Sequence, residues 1–133
     1  MTDATPTRPA IRFDLVVLDA PDIRALADFY SALLGWRIAD ESDDWITLRD
    51  PATPGGAGIA FQYAADFVPP TWPDETVPQQ LHLDLDVPDL DEAERFALSI
   101  GARPTGLPDE PDSTFRVYLD PAGHPFCLCL EEA

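Results

Sequence analysis

The run Leu81-His82-Leu83-Asp84-Leu85-Asp86-Val87-Pro88-Asp89 decides the fold, because it joins a strand to a helix and because it has an earlier copy. Alternation with a period of two puts Leu81, Leu83, Leu85 and Val87 on one strand face and His82, Asp84 and Asp86 on the other. Pro88-Asp89 stops the strand. Asp89 reads as an N-cap, and Glu92 three residues on completes a capping box. Leu90, Ala93, Phe96, Ala97 and Ile100 then form an apolar stripe at helical spacing that ends before Gly101.

The copy is Leu15-Val16-Val17-Leu18-Asp19-Ala20-Pro21-Asp22, a strand running into a helix with Ile23, Leu26, Phe29, Tyr30 and Leu33 inward and Gly35 at its end. Asp19 and Asp86, Pro21 and Pro88, Asp22 and Asp89, and Phe29 and Phe96 all keep a spacing of 67 residues. Further on, Asp50-Pro51-Ala52 and Asp120-Pro121-Ala122 stand 70 residues apart. This is an internal duplication of one supersecondary unit.

Between the copied stretches the remaining elements follow. The first strand spans about Ile11 to Leu18, followed by its helix and by short strands at Trp36 to Ile38, Trp45 to Leu48 and Gly58 to Tyr63. Residues 65–79 hold Pro69, Pro70, Pro73 and Pro78 and read as a stiff linker, with the aromatics Phe67 and Trp72 as candidates for packing across a groove. The second half repeats the plan: a strand at 80–87, a helix at 89–100, and strands near Ala102 to Thr105, Thr114 to Leu119 and Phe126 to Leu130. Each half is strand–helix–strand–strand–strand. The expected organisation is a disordered tail over 1–9 and a single domain over 10–131, with module one at 10–64 and module two at 80–131.

At 133 residues the chain is one domain long, enough for a hydrophobic core. Asp and Glu number 25 against 8 Lys and Arg, a net charge of −17 that repels phosphate backbones. Nucleic acid and anionic membranes are therefore not expected as partners. The charge serves solubility or draws a cationic ligand. No apolar run reaches the roughly 18 residues of a membrane span, and residues 1–9 lack a signal peptide's apolar stretch. The expected location is the cytoplasm. There Cys127 and Cys129, two apart on one predicted strand, stay reduced, because that spacing suits a mutual disulfide poorly.

The tandem βαβββ pair, the Pro-Asp helix starts, Phe29-Tyr30 before Leu34-Gly35, and Asp120-Pro121-Ala122-Gly123 before the last strand resemble the vicinal oxygen chelate superfamily. That superfamily includes glyoxalase I, bleomycin-resistance proteins, fosfomycin-resistance enzymes and extradiol dioxygenases. Within it, Phe61-Gln62, Trp72-Pro73 and Leu81-His82-Leu83-Asp84 look most like the glyoxalase-like domains. The resemblance implies an α+β fold of two βαβββ modules forming one incomplete barrel around a central cup, and a homodimer. Its enzymes hold a divalent metal in that cup, through His or Gln on the first strand and Glu on the last strand of each module. In this chain His82 takes a first-strand position. Its counterpart by the 67-residue spacing is Leu15, which ligates nothing. The last-strand positions fall on Cys127 and near Gln62. The usual ligands are missing, so no cofactor is expected; were a metal such as zinc bound, His82, Cys127 and Gln62 would be its ligands.

His82 is the candidate catalytic residue if the protein is an enzyme, since imidazole titrates near neutrality; a hydrogen-bonded buried imidazole is the other reading. Asp84 and Asp86 share its predicted face. Arg116 and Tyr118 alternate along one strand, where Arg116 either binds an anion or balances nearby acids. Trp45, Phe61, Trp72 and Phe126 are candidates for an aromatic cup around a planar ligand, with core packing as the alternative for each. His124, in the last turn, is expected in solvent. Two function classes follow: a metal-independent protein that sequesters a small molecule, as in the bleomycin-resistance branch, or a lyase, isomerase or dioxygenase-type enzyme built on His82.

Overall fold

The structure, a computed structural model, describes residues 6–131. The first five residues of the expected tail lie outside the described residues. The elements are β1 (Leu15–Ala20), α1 (Ile23–Leu34), β2 (Arg37–Glu41), β3 (Trp45–Arg49), β4 (Gly58–Tyr63), β5 (Leu83–Val87), α2 (Leu90–Ser99), β6 (Arg103–Pro104), β7 (Phe115–Leu119) and β8 (Pro125–Leu130). They form two open four-stranded sheets of identical topology, β1-β4-β3-β2 and β5-β8-β7-β6. In each, the first and last strands of the module run parallel and the other neighbours antiparallel. The duplication read from the spacing is thus a duplication of tertiary structure, in an α+β chain whose sheets do not close into a barrel.

Local chemistry sets the helix ends. Asp22 accepts from the Ala25 N–H at 3.0 Å, and Asp89 accepts from the Glu92 N–H at 2.9 Å. Gly35 closes α1 at φ 72°, a conformation open to glycine. The two Asp-Pro-Ala turns fold alike: Asp50 accepts from the Ala52 N–H and Asp120 from the Ala122 N–H, both at 2.9 Å.

α1 buries Ile23, Leu26, Ala27, Phe29 and Tyr30. It lies on the helix-bearing side of both sheets: Tyr30 stacks on Phe61 of β4 at 5.8 Å, and Phe29 meets Phe126 of β8 at 5.8 Å. The opposite faces of the sheets therefore look outward. α2 covers sheet two alone and buries only Ala97 fully; Phe96, expected inward, is 48% exposed. The sequence stripes are alike, but one helix has two sheets to pack against and the other has one.

Strand boundaries differ from expectation where a ladder partner ends. β1 starts at Leu15, not Ile11, because its partner β4 begins at Gly58, opposite Leu15, after the turn at Gly55-Gly56. Ile11 and Phe13 are left exposed. β5 starts at Leu83, opposite Phe126; the preceding Pro125 has no N–H to give a ladder. Among the described residues no helix is long and apolar enough to cross a membrane.

Candidate functional site

The outward face of sheet two brings the chemistry together. His82 precedes β5, and Asp84 and Asp86 alternate with the apolar residues along it. Across the parallel ladder Asp84 stands opposite Cys127 and Asp86 opposite Cys129. On the next strand, Val117 lies opposite Cys127 and Phe115 opposite Cys129. Phe126 and Leu128, one residue out of phase, point to the helices and join the core. Both cysteines are free thiols on the same face.

Two connected hollows open there. A cleft of about 280 Å³ is lined by Trp72, Gln79, His82, Pro108, Phe115, Val117, Pro125 and Cys127. A wider groove of about 750 Å³ runs over His82, Asp84, Asp86, Phe115, Cys127 and Cys129. Trp72 and Gln79 come from the proline-rich linker, which folds over the sheet. Among the described residues, the Gln79 Oε1 is buried without a hydrogen-bond partner behind the wall of the cleft.

His82 is half exposed rather than buried. Its Nε2 lies 3.3 Å from Asp84 Oδ1. Burial, with the Asp84 carboxylate next in weight, pushes the Cys127 thiol up to about 12, and burial also raises Cys129. Both thiols are protonated near neutrality.

The other expected site residues divide by face. Trp45 and Gln62 pair on the outward side of sheet one, away from His82; the Trp45 indole donates to Thr47 Oγ1 at 2.8 Å. Phe61 and Phe126 are core residues with no exposed surface, because their positions in the pleat face α1. Tyr118 is buried on the helix side, donating to Glu94 at 2.8 Å. Arg116 shares that side, 2.8 Å from Asp91 and 3.4 Å from Glu94. It balances acids of α2 and does not line the cleft. Of the expected set, Trp72, His82 and Cys127 meet in the cleft, and Asp84 joins His82 and Cys127 in the groove. Gln79, Val117 and Pro125 were missed: nothing local distinguishes a cleft-lining Val or Pro from a core one.

His124, expected in solvent, is 9% exposed and its Nε2 is 2.7 Å from the Asp19 carbonyl oxygen. The linker covers it, with the Phe67 ring centred 4.7 Å from its ring and tilted by 33°. Gly123 beside it has φ 97°, and a Cβ there would meet Pro69 at 2.7 Å.

The metal set that the superfamily implies does not fit these residues. Leu15 offers no donor, and Gln62 is on the other sheet. Instead His82, Asp84 and Cys127 place one donor atom each within 4.8 Å of one another.

The model of the glyoxalase-like domain family matches residues 15–129. Comparison with curated proteins finds no match. Among solved structures, the chain is similar to a glyoxalase/bleomycin resistance protein/dioxygenase family enzyme from Burkholderia phytofirmans, at 23% identity and TM-score 0.64, covering 86% of this chain and 94% of that one. It is also similar to the bleomycin resistance determinant encoded on transposon Tn5, at 20% identity and TM-score 0.59, covering 96% of this chain and 100% of that one. A third is the bleomycin-binding protein of Streptomyces verticillus, complexed with copper(II)-bleomycin, at 19% identity and TM-score 0.56, covering 94% and 100%. The family match spans nearly the whole doubled module, and the chain belongs to the glyoxalase-like domain family of the vicinal oxygen chelate superfamily.

Proposed function

We propose that this protein binds a small planar molecule in the cleft beneath Trp72, for sequestration or resistance rather than turnover, and without the divalent metal usual in the superfamily. The observation that carries the reading is the cleft itself: Trp72 from the linker and the apolar Val117 and Pro125 line one hollow, with Gln79 and His82 as its polar groups. Such a mostly apolar hollow with few fixed polar groups suits a small ligand. Asp84 and Asp86 at the groove favour a ligand with a cationic end. Bleomycin binding by the S. verticillus protein gives a first compound to try.

The proposed form is a cytoplasmic homodimer. The free thiols suit a reducing compartment. The two outward faces, with Phe115 40% exposed on sheet two, leave room for a second copy to bring Trp45 and Gln62 of sheet one over the groove. The second reading, an enzyme with His82 as base, rests on the His82–Asp84 pair, in which a carboxylate orients an imidazole.

Titration with bleomycin and a panel of planar heteroaromatic amines, followed by Trp fluorescence and thermal shift, tests the proposal. Trp72→Ala is expected to weaken binding by more than about ten-fold, consistent with the loss of a buried aromatic contact. No binding across the panel, or binding indifferent to Trp72→Ala, overturns it. Turnover of a bound compound that disappears in His82→Ala establishes the enzyme instead.

A further inference from the structure

The linker that carries Trp72 is interrupted by Pro69, Pro70, Pro73 and Pro78, and proline has no N–H to give a ladder or a helix. Residues 71–77 nevertheless close into a ring. The Thr71 N–H donates to the Val77 carbonyl at 2.8 Å, and the Val77 N–H donates back to Thr71 Oγ1 at 2.9 Å. The Thr71 hydroxyl lies 3.3 Å from the Asp74 carbonyl oxygen and 3.4 Å from that of Val77, so its own proton sits between two acceptors. Trp72 follows one end of the ring, Gln79 lies just beyond the other, and both line the cleft. Pro70 and Pro78, flanking the ring, line a separate hollow with Phe67 and His124. We propose that Thr71 is a positioning residue for the cleft: it clasps the two ends of this ring and so fixes Trp72 and Gln79 on one side of the linker, as a wall formed before a ligand arrives. The inference rests on the reading of the cleft as a binding site.

Hydrogen bonding explains why a side chain takes this role. Among the described residues, every hydrogen bond of 71–77 stays within the ring, so neither sheet fixes its backbone. A single main-chain bond would let the two ends splay. The hydroxyl supplies a second bond beside the first, and the pair sets the direction in which both ends leave. Asp74 holds the far end, accepting from the Thr76 N–H two residues on at 2.9 Å, an Asx-type turn. Among the described residues Thr71 does not line the cleft, so it acts on a ligand only through Trp72 and Gln79. Order in the free protein strengthens binding, because a competent pose held only part of the time raises the apparent Kd by the inverse of that fraction, and side chains ordered in advance lose less freedom on binding.

The test is fluorine NMR of the full chain labelled with fluorotryptophan, the Trp72 resonance being assigned by its loss in Trp72→Phe. Thr71→Val keeps the side-chain shape and removes the hydroxyl, whereas Thr71→Ser keeps the hydroxyl. Without ligand, the Trp72 resonance is expected to move toward that of solvent-exposed fluorotryptophan in Thr71→Val and to return in Thr71→Ser. The Trp36 and Trp45 resonances and the thermal midpoint are expected to stay at their parent values. With bleomycin as the probe, Thr71→Val is expected to raise Kd by about five-fold or more, and Thr71→Ser by less than about two-fold. A Trp72 resonance unmoved in Thr71→Val, all three tryptophans moving together, an unchanged Kd in Thr71→Val, or a loss that Thr71→Ser does not restore would each overturn the assignment. Failure of the parent to bind bleomycin counts against the reading of the cleft alone, and the ligand-free resonances then decide the clasp.

Discussion

The Tyr30 hydroxyl on α1 donates to Asp120 Oδ2 in the β7–β8 turn at 2.7 Å, a buried bond across 90 residues that ties module one to module two. Asp120 is fully buried, and its other oxygen accepts from the Ala122 and His124 N–H groups. The carboxylate thus joins a helix of one module to the turn that opens the last strand of the other. Tyr30→Phe removes one donor and leaves a buried carboxylate oxygen unpaired. We expect a loss of about 1–3 kcal/mol in urea unfolding; a variant as stable as the parent would show that the bond adds nothing.

Burial raises the Asp120 carboxyl above its ordinary value, although the Tyr30 bond and His124 act the other way. A carboxyl raised in the folded state favours folding while protonated. That contribution is present below the ordinary carboxylate range and is lost as pH rises through the raised value. Stability of the parent relative to Asp120→Asn should therefore decline as pH rises from about 4, then level off. Thermal unfolding in steps of pH checks the slope; a difference that grows with pH would contradict it.

With the Cys127 thiol near 12, its thiolate fraction at a given pH is roughly 1000-fold below that of a thiol at the ordinary value of 9. Cys129 is raised too, but is less buried. Timed iodoacetamide labelling read by mass spectrometry should modify Cys129 before Cys127. Labelling in the reverse order would place Cys127 in a more activating environment than this one.

The contrast between the matched residues Phe29 and Phe96 is measurable. Phe29 is 3% exposed against Phe126, whereas Phe96 is 48% exposed. Phe29→Ala should cost about 3–5 kcal/mol, and Phe96→Ala about 1 kcal/mol or less. Equal costs in chemical denaturation would show that α2 is covered more fully than its accessible surface indicates.

Helix capping offers a smaller effect. Asp22→Ala and Asp89→Ala each remove a side-chain acceptor from a first-turn N–H. Each should lower stability by about 0.5–2 kcal/mol, read from the shift in the unfolding midpoint. A null effect at both would imply that water serves those N–H groups equally well.

Much of the fold was legible because it rests on local rules. Period-two alternation from Leu83 to Val87, the caps at Asp22 and Asp89, the stop at Gly35 and the paired Asp-Pro-Ala turns depend on a few neighbouring residues each, and the 67-residue spacing revealed the doubling. Strand ends at Ile11 and Gln80 were misplaced because a strand persists only as far as its partner. The candidate site was legible in part: the face shared by His82 and Asp84 follows from alternation, and Cys127 from the last-strand position.

The sequence by itself determined two copies of one βαβββ unit, their helix boundaries, an acidic surface and which residues share a face of β5. Only the tertiary structure decided that Phe61, Phe126 and Tyr118 turn inward, that Arg116 serves α2, that His124 is covered by Phe67, and that Trp72 and Gln79 roof the cleft. Alternation states that two residues share a face but not which face meets a helix. That choice is made when α1 packs against both sheets at once, removing the largest apolar side chains from water and leaving His82, Asp84 and Cys127 on the side that no helix covers.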